Sequence, residues 1–222
     1  MSDTKRRMIL VLGTIGLSLV WDVLAAILAW GPWAAYAMTV VLLCIFGGYL
    51  LRTKDMVMLR LFWFGAVVGF GELFADAWAV NTSQTLVYHG LGEWPFVWAS
   101  PLYMPFSWIV VVTQIGYIAF WITQRWGFWW AIVGATLMGA TNIPVYEWLA
   151  AKAGFWTYQD CWIILKYTPV YVIAGEAALT MILPLVVWRV EHVPWKRILL
   201  LGVLQSIWVY WVSARLCFAI FG

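Results

Sequence analysis

Residues Gly71–Trp108 read GELFADAWAVNTSQTLVYHGLGEWPFVWASPLYMPFSW. The stretch starts near the end of a long apolar segment that nevertheless carries Glu72 and Asp76. It crosses a polar, aromatic-rich loop and enters a second apolar segment through Ser100-Pro101. Acids four residues apart share one face of a helix. Inside a membrane such side chains are costly and mark functional positions by default. The stretch therefore reads as a helix–loop–helix unit of an all-α, polytopic membrane protein.

The rest of the composition agrees. Of 222 residues 65% are hydrophobic and 10% charged, and the mean hydropathy is +0.88; a soluble domain carries about a quarter charged residues. Nineteen tryptophans exceed what interfacial belts need, so some are expected to line an interior. No basic, aromatic-interleaved patch points to nucleic acid. Cys44, Cys161 and Cys217 form no CxxC pair, which argues against a disulfide framework or a zinc site. His89 and His192 both fall outside the apolar runs and offer neither a haem pair nor an HExxH centre. Neither metal nor cofactor is expected.

Apolar runs of about 20 residues occur seven times, at Met8–Trp30, Trp33–Leu51, Val57–Val80, Pro101–Thr123, Phe128–Ala150, Thr168–Trp188 and Ile198–Phe221. The first is too long for a signal h-region and lacks a small-residue cleavage site. No linker divides the chain, so residues 1–222 read as one integral membrane domain. With a cytoplasmic N-terminus, Lys5, Arg6, Arg7, Arg52, Lys54, Arg60, Arg125, Arg189, Lys196 and Arg197 collect on the inner side, against Lys152 and Lys166 outside. Ten against two fixes the orientation, and the expected location is the bacterial cytoplasmic membrane.

This topology brings scattered polar residues to one level. At about 1.5 Å per residue, Asp22, Glu72 and Asn142 lie roughly 21–22 Å from the cytoplasmic ends of their helices, Arg215 roughly 26 Å, and Asp76 and Glu147 roughly 28 Å. Glu176 lies about 12 Å below the outer end by the same rise. All seven fall in the outer half of a core about 30 Å thick, which suggests a shared cavity opening outward. Bland readings stand beside this one. Asp76 and Glu147 either face that cavity or reach the outer interface. Asp22 either joins them or pairs with Arg215. Asn142 either meets a substrate or bonds the carbonyl freed by Pro144. Gly65, Gly69, Gly71, Gly134 and Gly139 suit close helix packing. Five acids facing one arginine cannot all be ionised at this depth, and a neutral carboxylic acid is what general-acid chemistry requires.

The unit recurs. Glu72, Asp76, Trp78, Tyr88 and Ser100-Pro101-Leu102-Tyr103-Met104-Pro105 align with Pro144, Glu147, Leu149, Trp156, Tyr158, Thr168-Pro169-Val170 and Glu176. Both copies, about 57–123 and 128–188, read helix, aromatic loop, Pro-led helix. A parallel repeat of this kind places a site at its interface. The second copy, PVYEWLAAKAGFWTY followed by TPVYVIAGE, resembles the lycopene cyclase domain of membrane carotenoid enzymes, where an acid precedes a Gly-aromatic-Trp-Tyr loop and a Pro-led acidic helix follows. The first copy is similar to the bacterial and archaeal carotenoid hydratases of the same broad family. The likeness covers about Gly71–Ala178. The cyclases' Asp-Asn pair is replaced by Tyr146-Glu147, and their paired glutamates by the single Glu176.

The resemblance implies cofactor-free, redox-neutral chemistry on an isoprenoid or other lipid chain. Glu72 or Glu176 would protonate an alkene and Glu147 or Asp76 would accept a proton. Trp78, Tyr88, Trp108, Trp148, Trp156, Tyr158 and Tyr171 would stabilise the cation by cation–π attraction, with Asp22, Asn142 and Arg215 tuning or anchoring the site. Two other classes fit the composition: a non-catalytic binder of a lipid, quinone or pigment, alone or within a larger complex, and a small transporter. Retinal pigments do not fit, because the seventh run has no Lys for a Schiff base.

Overall fold

A computed structural model describes residues 2–90 and 92–222. Seven helical spans among them are long and apolar enough to cross a membrane, and the chain is an all-α integral membrane protein. They are α1 (Asp3–Leu28), α2 (Trp33–Thr53), α3 (Met56–Asn81), α4 (Tyr103–Trp126), α5 (Phe128–Ala153), a sixth span Val170–Val187 and a seventh, Trp195–Phe221. The side where the Lys- and Arg-rich turns gather is called the basic side below.

The two outer loops are folded rather than irregular. The first forms β1 (Leu86–Tyr88), β2 (Phe96–Val97) and β3 (Ser100–Pro101); the second forms β4 (Trp156–Tyr158), β5 (Ile163–Ile164) and β6 (Thr168–Pro169). Within each loop the last two strands pair as a small hairpin. Between loops, β1 pairs antiparallel with β4 in the register Leu86↔Tyr158, Val87↔Thr157, Tyr88↔Trp156. That register is symmetric about Val87 and Thr157. This local two-fold of the ribbon matches the loop between α3 and α4 with the loop that follows α5. The helix pairs inside the units close on small residues. A Cβ on Gly65 would stand 2.7 Å from the Ile109 carbonyl oxygen, and one on Gly139 2.5 Å from that of Glu176.

The last two spans are not the continuous helices their apolar runs suggest. The sixth divides into α6 (Val170–Met181) and α7 (Leu183–Val187), because Pro184 has no N–H to return to the carbonyl of Thr180. The seventh runs from α8 (Trp195–Trp208) through a π-helical segment, Val209–Leu216, to α9 (Cys217–Phe221). Such wide turns cluster at functional sites. This one sets the Ser213 backbone against Gly175, where an added Cβ would lie 2.5 Å from the Ser213 oxygen.

Side-chain packing separates into two cores. On the basic side, Phe46, Leu61, Phe64, Tyr117 and Leu183 join a solid apolar cluster. Under the β1–β4 ribbon a second cluster gathers Ala25, Tyr88, Tyr103, Ala150, Phe155 and Trp156. The polar lock of the basic side is Asp55, which caps α3 through the N–H groups of Val57 and Met58 and accepts hydrogen bonds from Arg7 (2.7 Å) and Tyr49 (2.8 Å). Burial alone would raise its carboxyl pKa, but the Arg7 and Tyr49 bonds outweigh burial and hold it below the usual range. A depressed folded-state pKa stabilises above the unfolded value, near about 4, and the contribution fades as pH falls through the folded value. Asp55→Asn keeps a capping side chain but loses the charged bond. It should cost about 1.5–3 kcal/mol in detergent-solubilised unfolding near neutral pH, with the gap to wild type closing below about pH 4.

Candidate functional site

Between the two cores lies a cavity of about 620 Å³, within the range of sites for drug-sized ligands. Asp22 reaches its wall from α1, Glu72 and Asp76 from α3, Glu147 from α5 and Glu176 from α6. No Lys, Arg or His stands on the wall among the described residues. The carboxyls are spread round it, for no three His, Cys, Asp or Glu side chains among those residues are grouped to hold a metal ion.

The acids divide into two kinds. Asp76 and Glu147 occupy matching places near the ends of α3 and α5, each tied to the ribbon. Both donors to Asp76, the Tyr88 hydroxyl and the Ser100 hydroxyl, reach Oδ2 at 2.7 Å. Glu147 accepts from Trp156 Nε1 at 2.7 Å on Oε2 and from the Tyr158 hydroxyl at 3.3 Å on Oε1. Tyr88 and Tyr158 are equivalent under the two-fold. Burial, and then Asp76 for Tyr88 and Glu147 for Tyr158, push both phenols well above their ordinary pKa. They therefore remain donors across the physiological range.

Glu72 and Glu176 are different. Glu72 Oε2 is buried without a hydrogen-bond partner, and the Glu176 carboxyl has none among the described residues. The Tyr103 hydroxyl and Ser213 Oγ, both on the cavity wall, are likewise buried and unpartnered. Buried polar groups are nearly always satisfied, so these atoms leave hydrogen-bonding capacity on the cavity wall.

Most residues singled out in the sequence converge here: Asp22 and the four acids just described, with Trp78, Trp108 and Tyr171 on the walls and Tyr88, Trp156 and Tyr158 in the roof. Two do not sit as expected, and a third, Asn142, keeps only one of its two readings. Trp148 directly follows Glu147, about 100° further round the helix; with Glu147 inward it faces outward, 45% exposed, in a shallow groove beside Val23 and Lys152. Arg215 is exposed on the π segment and stacks over Trp211 at 4.7 Å. The segment turns Ser213 inward instead, so the expected ion pair between Asp22 and Arg215 does not form. Asn142 is on the rim, exposed, and makes no hydrogen bond to the carbonyl freed by Pro144.

The residue missed at the centre is Tyr103. Its signal was present: Ser100-Pro101-Leu102-Tyr103 and Thr168-Pro169-Val170-Tyr171 place a tyrosine two residues after each proline. The two differ in bonding. The Tyr171 hydroxyl meets Thr85 Oγ1 at 2.8 Å, whereas that of Tyr103 is unpartnered.

Against known families, a model described as a domain of unknown function, DUF6989, matches residues 73–221. The chain belongs to the DUF6989 family. No curated protein and no solved structure matches it. The DUF6989 match takes in both outer loops, Asp76, Glu147, Glu176 and the π segment; α1, α2 and Glu72 precede its first residue.

Proposed function

We propose that the protein is a membrane-embedded isoprenoid or carotenoid cyclase, or the corresponding hydratase, of the bacterial cytoplasmic membrane. One observation carries this reading: Glu72 and Glu176 present unpartnered carboxyls to a cavity walled by Trp78, Trp108, Tyr103 and Tyr171, with no basic side chain on it among the described residues. Without a cation, five carboxyls cannot all be charged together, and an acid that keeps its proton can give it away. The likeness of the second repeat to lycopene cyclase domains supports the same chemistry.

In this scheme Glu72 or Glu176 transfers a proton to an alkene carbon, and the adjacent carbon becomes cationic. Desolvated aromatic faces each stabilise that cation by about 2 kcal/mol. A second alkene of the same chain attacks it, a ring closes, and a proton leaves to a base, so the product is an isomer of the substrate. If water captures the cation instead, the product is heavier by one water. Asp76 is the better placed base, because both its hydrogen bonds fall on Oδ2, whereas both oxygens of Glu147 are engaged. The test is expression in a host that accumulates lycopene, followed by chromatography and mass measurement of the extracted lipids. A new isomer or hydrate is expected. A purified protein that carries a coloured lipid unchanged would instead favour the binding-protein reading, which the aromatic walls also suit.

A further inference from the structure

The cavity does not open outward as the depths of its acids suggest: its roof is closed and its side is open. On the ribbon side Tyr88, Phe155 and Trp156 are all buried. Among the described wall residues, those that are exposed are Leu19 on α1 and Thr141, Asn142 and Val145 on α5. Leu19 and Val145 are half exposed, at 50% and 52%. At about 1.5 Å per residue they lie at least 10 Å inside either end of their helices, at the depth of lipid tails.

The opening has a frame. Above it α1 and α5 are closed by Ala25, Ala150 and Ala153, and the Gly31 N–H donates to the Ala153 carbonyl at 2.8 Å. Below it α4 intervenes: Gln114 Nε2 donates to Thr14 Oγ1 of α1 at 3.0 Å, and Ile122 fills the space beside Gly134 of α5. Two further observations point to a ligand. Asn142 holds an amide at hydrocarbon depth, which is unfavourable without a polar partner. Inside, the Tyr103 hydroxyl and Glu72 Oε2 are buried and unpartnered.

We propose that the cavity fills sideways from the bilayer, through the gap between α1 and α5, and that its occupant is the chain of a membrane-dissolved lipid with a polar group that meets Asn142 on the way in. Water-soluble prenyl compounds arriving at the ribbon face are not its ligands. That the lipid is an isoprenoid rests on the preceding reading of the acids; the route does not.

The route is tested without turnover. The full chain is reconstituted in phosphatidylcholine vesicles containing a phosphatidylcholine with a mid-chain diazirine, illuminated, and mapped by peptide mass spectrometry. Carbene insertion is expected at Ser107 and Trp108 on the inner wall as well as on the lipid face of α5. Val145→Trp and Leu19→Trp, each filling the gap from one side, should cut the interior label at least five-fold. Leu137→Trp, on the exposed face of α5 outside the cavity, should leave it unchanged. Label confined to the outer surface, or interior label indifferent to both gap variants, would overturn the route. Interior labelling by a protein that makes no product keeps the route and removes the cyclase; product formation without interior labelling does the reverse.

Discussion

Of Glu72→Gln and Glu176→Gln, made separately, the one that replaces the proton donor should lower product formation in lycopene-accumulating cells by 10²- to 10⁴-fold, the range contributed by a positioned general acid. The amide keeps the shape of the carboxyl and cannot release a proton to carbon. The stability readout separates this from a structural role. A buried carboxyl oxygen without a partner destabilises the fold by about 1–3 kcal/mol, and Glu72 Oε2 is such an atom. Glu72→Leu should therefore raise the apparent melting temperature and, with Glu72 as the donor, abolish conversion, the trade expected where activity is maintained at the expense of stability. A Glu72→Leu protein that melts lower, or a Glu72→Gln and Glu176→Gln pair that both retain full conversion, would remove these acids from the mechanism.

The parts of this arrangement legible in the sequence are those set by solvent. A run of 20 apolar residues has few alternatives to a spanning helix, so the seven spans were visible to within a few residues of their ends. The repeat was visible too, because the order of acid, aromatic loop and proline survives even where residue identities differ. What failed was azimuth. Trp148 and Arg215 have the right depth but the wrong face, and depth is all that rise per residue supplies. For Trp148 the neighbour Glu147 gave the answer, since adjacent helical residues diverge by about 100° and only one could face inward. For Arg215 nothing local did: its face is decided where the π segment lays Ser213 against Gly175, a contact between spans. The strands of the outer loops were hidden for a related reason. Leu-Val-Tyr and Trp-Thr-Tyr are too short to signal a strand alone, and they become one only where the two-fold sets them side by side.

That pairing makes Asp76 and Glu147 the second pair of sensitive positions, with the opposite signature. Glu147→Ala would strand the buried Trp156 N–H and the Tyr158 hydroxyl; Asp76→Ala would strand the hydroxyls of Tyr88 and Ser100. At about 1–3 kcal/mol for each unsatisfied donor, either change should cost about 2–6 kcal/mol and lower the apparent melting temperature by roughly 10 °C for a chain of this size. Glu147→Gln and Asp76→Asn retain acceptor oxygens and should cost less than half as much. Because Tyr88 lies opposite Trp156 in the ribbon, the two sites share one structural element, and neighbours of this kind are not additive. Once Glu147→Ala has loosened the roof, Asp76→Ala has less left to remove. The double variant should therefore melt well above the temperature given by summing the single losses. Strict additivity would mean that each acid holds only its own loop. It would also leave the closed roof, on which sideways entry depends, without a common support.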